Sequence, residues 1–325
     1  MIRRDALAAA IVFGLGLASA GSAAQAEWPE RAVTIVVPAG AGGGTDGVAR
    51  LLTKQLQEIF KKPFNVVNNG EGGGAVGHSM IANAEPDGYT LGLIFPFAQM
   101  KLMGQADLAA DSFTPIAQVN FDPAGFNVRS DAPYPSLKEA LDDIKANPGK
   151  YTISCGGGCG GSWHLPMAGL FLDWGIDVNA VTMIPSKGAA AGLQELVAGG
   201  VDFIPCSLPE AGPLVQAGKV RPLVVMSEER IAAFPDVPTV KEITGEVYEG
   251  GAWRGVAGPA GLPEDIVAKM GEALEQIFGS EEFQSAMTKR GFGLKWRDRE
   301  QFAAFLEAED ESVKRIMTAL GLVKG

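Results

Sequence analysis

From Ala32 onward, short β-branched runs alternate with stretches of helical spacing, and this alternation restricts the chain to α/β architectures built on parallel βαβ units. Ala32–Val37 (AVTIVV) reads as a buried strand. The segment P-A-G-A-G-G-G-T-D follows, then a helix keeping Val48, Leu51, Leu52, Leu56 and Ile59 on one face. A strand at Phe64–Val67, an Asn/Gly loop at 68–74, a helix from about Ala75 to Ala84 and a strand at Thr90–Phe95 come next. Residues 114–128 read as extended, because Pro115 and Pro123 exclude a regular helix.

Ser136 and Glu139 form a capping box for a helix that stops near Asn147-Pro148-Gly149. Strand Tyr151–Ser154 enters S-C-G-G-G-C-G-G-S, and a helix runs from about Ser162 to Trp174. Strand Val181–Ile184 leads through Ser186-Lys187-Gly188 into a helix ending at Gly199-Gly200. Strands Val201–Ile204 and Leu223–Met226 flank a helix at Glu210–Ala217. After an extended stretch at 252–257, Pro263-Glu264-Asp265 starts a helix, and Asp298 caps a long final one. No fixed-period repeat is present, but the unit strand, Gly-rich loop, helix occurs in both halves. Two α/β halves joined by extended crossings near 114–128 and 248–258 predict two lobes with a cleft.

Arg3 and Arg4, the apolar stretch Ala6–Ala20 and the A-x-A at Ala24–Ala26 predict a secretory signal cleaved before Glu27. No later segment has 18 uninterrupted apolar residues, so an exported, soluble protein is expected. The formal charge is −11 with no basic cluster longer than a pair, which argues against a nucleic-acid partner. In an oxidising compartment Cys155 and Cys159 can close a five-residue loop, or be inert small residues in it; Cys206 stands alone. A metal site would have to recruit His164 and Cys206 and lacks a second paired motif, so no metal and no cofactor are expected.

Much of the glycine sits in short runs where strands hand over to helices. Such a turn presents unpaired N–H groups and the positive end of the helix dipole, an anion site needing no Arg or Lys. The loops are Pro38–Asp46, Gly72–Gly77 and Gly156–Ser162, with Ser186–Gly188 a fourth, and in α/β sheets they converge beyond the strands' carboxyl ends. A dinucleotide fingerprint fails because Thr45 stands where the third glycine belongs, and no Walker pattern exists. Only His78 and His164 are present, with no G-x-S-x-G or H-E-x-x-H. His78 reads as a cap or ligand contact, or as a surface histidine. Asp46 reads as a ligand group or as a complement to its helix dipole. Trp163 and Trp174 read as packing. Cys159 or Ser162 with His164 would make a hydrolase pair, for which no orienting carboxylate is evident.

Taken in order, these segments resemble the substrate-binding proteins of tripartite tricarboxylate transporters (the TctC or Bug type) over essentially the whole mature chain. The carriers are Trp28-Pro29-Glu30, T-I-V-V-P-A-G-A-G-G-G-T-D, G-G-G-A-V-G at 72–77, E-P-D-G-Y-T-L at 85–91 and Asn147–Lys150. They continue with Lys187-Gly188-Ala189, Ala217–Arg221, F-P-D-V-P-T-V at 234–240 and W-R-G at 253–255 before Pro259-Ala260-Gly261. The resemblance implies a flytrap: a two-lobed periplasmic binding protein, each lobe a mostly parallel sheet flanked by helices, with two crossing strands as hinge. It implies 27–125 plus 249–325 as lobe 1 and 126–248 as lobe 2. It further implies a non-enzymatic, monomeric receptor that captures a small organic carboxylate and delivers it to a large and a small membrane subunit. A sensor feeding a two-component kinase is the alternative of a different class.

The implied ligand residues are Ala39, Gly43, Gly44, Thr45, Asp46, Gly74, Ala75, Val76, His78, Phe95 and Phe97 in lobe 1. In lobe 2 they are Gly161, Ser162, Trp163, His164, Ser186, Lys187, Cys206 and Ser207. The family's usual E-N-R-P is replaced by Asn68-Asn69-Gly70-Glu71, Phe95-Pro96-Phe97 stands where small hydroxyl residues are frequent, and Cys206 stands where Asp is common. The expectation is a pocket with apolar or aromatic walls and few side-chain donors, open to aromatic as well as aliphatic carboxylates.

Overall fold

The computed structural model describes residues 28–324, so the signal-peptide expectation lies outside the described residues. Ten strands are β1 (Val33–Val37), β2 (Phe64–Asn68), β3 (Thr90–Ile94), β4 (Phe113–Arg129), β5 (Thr152–Ser154), β6 (Thr182–Ile184), β7 (Phe203–Ser207), β8 (Val220–Val225), β9 (Gly251–Pro259) and β10 (Leu294–Arg297). The first lobe's sheet runs β2-β1-β3-β9-β4-β10, and the second lobe's runs β8-β4-β7-β5-β6. Strand β4 belongs to both. Its pairing with β9 ends at Pro123↔Gly251, and its pairing with β7 begins at Ala124↔Ser207.

Strand direction then fixes where the loops go. β3 is antiparallel to β9, and β9 is antiparallel to β4, so β1, β2 and β3 all point the way β4 points, toward the second lobe. β7 is antiparallel to β4, and β5 and β6 are parallel to β7, so these three point back toward the first lobe. The carboxyl ends of both parallel triplets therefore face each other across the crossing. β3 ends level with Gln118 and β7 ends level with Ala124, six residues apart on β4, which is about 20 Å of strand. That gap is the space the glycine-rich loops project into. Each sheet is parallel only in its triplet; the remaining pairings, all through β4 or β9, are antiparallel.

The cores follow from strand periodicity. Val33, Ile35 and Val37 face the helices Gly44–Phe60 and Glu264–Phe278 on one side of the first sheet, while Val36 and Ile94 face Phe97, Trp253 and Phe302 on the other. In the second lobe Phe126, Phe171 and Phe203 pack together, and Ile204 and Cys206 face Leu193 and Leu196. The helix Arg299–Ala319 gives Phe302 and Leu306 to the first lobe's core, then Val313, Ile316 and Met317 to the second's. Three short helices (Ala98–Leu102, Val240–Thr244, Glu281–Lys289) and β10 lie outside the elements read from the sequence.

Candidate functional site

The distinguishing local feature at the crossing is how the helices begin. The helices Gly44–Phe60, Ala75–Ala82, His164–Asp173 and Ala189–Ala198 open from the glycine-rich loops, with Gly43, Gly74, Trp163 and Gly188 as N-caps, and none has a side-chain cap. Five helices elsewhere in the chain order are closed by Ser136, Ser207, Thr239, Ser280 and Asp298. Two more are uncapped: Ala98–Leu102, at the end of β3, and Glu264–Phe278, which starts after Pro263. An uncapped first turn keeps its positive dipole end unneutralised and leaves available the N–H groups that the preceding loop does not take, as Glu71 O and Gly72 O take that of Ala75 and Gly161 O that of Leu165. Four such turns at facing strand ends suit an anion.

The first loop is folded by Asp46. Its Oδ2 accepts hydrogen bonds from Gly42 N–H (2.8 Å) and Arg50 Nε (2.9 Å), and the side chain is nearly buried. Burial pushes this carboxyl up, but the donors from Arg50 and Gly42 outweigh it and hold it below its ordinary value. Asp46 thus shapes the loop, leaving Ala39, Gly43 and Gly44 at the surface with backbone to offer. Gly74 and Gly77 allow the second loop to lie on the first: a Cβ on Gly77 would sit 2.5 Å from Asn69 O and 2.6 Å from Pro38 Cα. Ala75 is buried there and Val76 is exposed.

His78 is fully buried, not a surface histidine. Nδ1 lies 2.9 Å from Gly74 O and Nε2 accepts from Phe95 N–H at 3.4 Å, so the ring is neutral, and burial lowers its pKa to about 4. Its ring meets Phe95 edge-on, with Phe97 and Phe113 behind. Phe97 is 1% exposed and belongs to the core, leaving the half-buried Phe95 as the aromatic wall available at this loop.

In the second lobe Cys155 and Cys159 form a disulfide across the loop. Gly160 N–H donates to His164 Nδ1 at 2.8 Å, so Nε2 carries the proton; it is buried and has no partner. Burial lowers the His164 pKa to about 4. With Cys159 in the disulfide and His164 bonded to backbone, the Cys–His pairing required for a hydrolase is not made. Gly161 and Ser162 are partly exposed, and Trp163 packs on Gly156 and the second lobe's core. Ser186 Oγ donates to Gly188 O, shaping the fourth loop, and Lys187 is exposed with no partner among the described residues. Cys206 is wholly buried, accepting from Asn127 Nδ2, and Ser207 is spent as a helix cap bonded to Glu210. These two side chains therefore face the core and a helix end. Among the described residues no group of His, Cys, Asp and Glu is placed to hold a metal ion.

Arg254, present in the sequence only as part of W-R-G, joins this site. It alternates with the core-facing Trp253 on β9, so it lies on the opposite sheet face, under the first helix. Nε donates to Thr45 Oγ1 (3.2 Å), and Nη1 donates to Asp122 Oδ2 (2.7 Å) and Asn120 Oδ1. Strand alternation around a known aromatic could have revealed it.

A family model described as "Tripartite tricarboxylate transporter family receptor" matches residues 48–322. The chain belongs to that family. The receptor is 30% identical to "UPF0065 protein in gbd 5'region" of Cupriavidus necator, over 99% of this chain and 98% of that one. A ligand-free TctC solute binding protein from Polaromonas shares its fold with a TM-score of 0.81 and 31% identity, covering 90% of this chain and 99% of that one. A Rhodopseudomonas palustris protein solved with adipate gives 0.71 at 27% identity over 91% and 99% of the two chains. MatC from the same organism, solved with malate, gives 0.68 at 28% identity over 90% and 100%. The receptor thus has the two-lobed fold of periplasmic binding proteins. Among the described residues no helix is long and apolar enough to cross a membrane.

Proposed function

We propose that this receptor is a periplasmic solute-binding protein that captures a small organic carboxylate between its lobes and delivers it to a large and a small membrane subunit. The observation that carries the reading is the set of four uncapped helix N-termini at facing strand ends. Adipate and malate in two relatives support the carboxylate class. The lobes are taken as 27–125 plus 249–325 and 126–248, bending where β4 passes Pro123 and the chain returns through 248–251. Backbone N–H groups of 44–46, Val76 and 162–164, with Ser162, the His164 Nε2–H, Lys187 and the Phe95 wall, form the ligand site. Binding favours the closed state by its differential affinity for it.

The test is a thermal-shift screen of the receptor, refolded to strip co-purified ligand, against aliphatic and aromatic mono-, di- and tricarboxylates. Saturable stabilisation following RT ln(1 + [L]/Kd) is expected for one class. Absence of a shift with every acid would defeat the carboxylate reading.

A further inference from the structure

The receptor reading asks for a cation in the first lobe's anion site whose outer edge is unspent, and Arg50 gives its Nε to Asp46 and its Nη2 to Asn68. Arg254 is placed to provide one. Two of its three guanidinium nitrogens are occupied: Nε by Thr45 Oγ1, and Nη1 by Asn120 and Asp122. Nη2 donates to no group among the described residues. It lies 3.0 Å from where a Cβ of Gly44 would be, and the ring of Phe292 lies 3.4 Å from the same point. The guanidinium also sits 5.3 Å from the Phe292 ring centre, which gives that corner an aromatic wall. Any side chain at 44 would fill the corner, so the glycine keeps it open.

The corner lies at the seam between lobes. Asp122 is the penultimate β4 residue paired in the first lobe, and Pro209 of the second lobe reaches within 3.1 Å of a Cβ on Gly291, beside Phe292. Asp122 is fixed in turn by Gly293 N–H at 2.7 Å, and Asn120 donates to Gly293 O at 2.7 Å. The guanidinium is thus held rigidly along one edge and left free at the other. A planar cation so fixed is pre-organised for a carboxylate, paying little entropy on contact.

We propose that Arg254 is a ligand-binding residue: its Nη2 edge, beside Gly44 and Phe292, donates to one carboxylate of the bound acid. The proposal rests on the receptor reading, and the same carboxylate takes N–H groups of the first turn at 44–46. Phe292 packs against its carbon chain.

The experiment is calorimetric titration of wild type, R254Q, R254K and D122N with whichever acid of the carboxylate panel binds the wild type, each variant checked by circular dichroism and thermal melting. R254Q is expected to bind at least tenfold more weakly. D122N removes a neighbouring negative charge but also loosens the fixed edge of the guanidinium, and Nη2 is untouched, so its affinity is expected to stay within threefold of wild type. Equal affinity of R254Q and wild type would overturn the proposal while leaving the receptor reading intact. Equal weakening by R254Q and D122N would overturn it too, because Arg254 would then act only through its pair. Should R254Q fail to fold, R254K carries the test: an ammonium has three N–H donors for four acceptors, Thr45, Asn120, Asp122 and the ligand, so affinity should fall at least threefold, and no change overturns the proposal. No binding of any acid by wild type would remove both readings.

Discussion

The disulfide between Cys155 and Cys159 is a quantitative test of how the second lobe's loop is prepared for ligand. It closes a loop of sequence separation four directly after β5. On the chain-entropy view, a five-residue closure withholds about 7 cal/mol/K from the unfolded chain, or about 2 kcal/mol at 25 °C. For a protein of this size that is about 4 °C in Tm. Cys206 is a buried free thiol, already reduced, so among the described residues a reductant acts on the Cys155–Cys159 bridge alone. We expect C155A/C159A to melt about 4 °C lower than wild type, and reductant to lower wild type but not the variant. The loop also bears Gly160, whose N–H orients His164. If the freed loop loosens locally before the protein melts, the same 2 kcal/mol appears instead in ligand affinity, as up to about thirtyfold weaker binding. Scanning calorimetry with and without reductant, paired with ligand titration, measures both shares. A variant that melts within 1 °C of wild type and binds within twofold would refute the claim that the bridge pre-organises this loop.

Three further outcomes are expected. G77A places a methyl against backbone at 2.5–2.6 Å and should cost about 1–3 kcal/mol and weaken ligand binding, whereas G73N, at φ 69° with open space around it, should melt within about 1 °C of wild type; paired melts decide. His78 and His164 are neutral in the fold, with pKa values lowered from 6.5 to about 4, so stability is complete above pH 6.5 and is lost as pH falls toward 4, by about 3 kcal/mol per histidine; urea titrations at pH 7.5, 6 and 5 should show it, and a flat profile would contradict their burial. K187Q should leave the melting temperature within 1 °C and weaken carboxylate binding about three- to tenfold, read by titration calorimetry, because Lys187 is exposed and bonds to no other described residue.

Much of the fold was legible because the loops announce themselves. Proline, glycine and β-branched runs mark β1 to β9 to within a few residues, and Asp298 closes its helix with the capping box that its spacing with Gln301 allows. The short helix Ala98–Leu102 and β10 were not legible, since one turn of helix or four paired residues leave no periodicity to read. The glycine loops were legible as sites of backbone exposure, but the direction of side chains was not. His78, Phe97 and Cys206 turn inward because their neighbours complete a core across elements far apart in sequence. Arg254 was hidden for the converse reason: its partners Thr45, Asn120 and Asp122 come from two distant segments, and only the β9–β4 register brings them together.

Strand β4 carries a consequence for how this molecule comes apart. It is the antiparallel partner of β9 in one lobe and of β7 and β8 in the other, so a cut at the lobe boundary would pass through a strand both sheets need. The long C-terminal helix repeats the arrangement from outside, anchoring one end in each core. Two lobes by shape are then one unit by cooperativity. Each half excised alone would expose an unpaired sheet edge, which is a template for aggregation. The intact receptor should lose both lobes in a single transition, with the amides of β4 among the last to exchange.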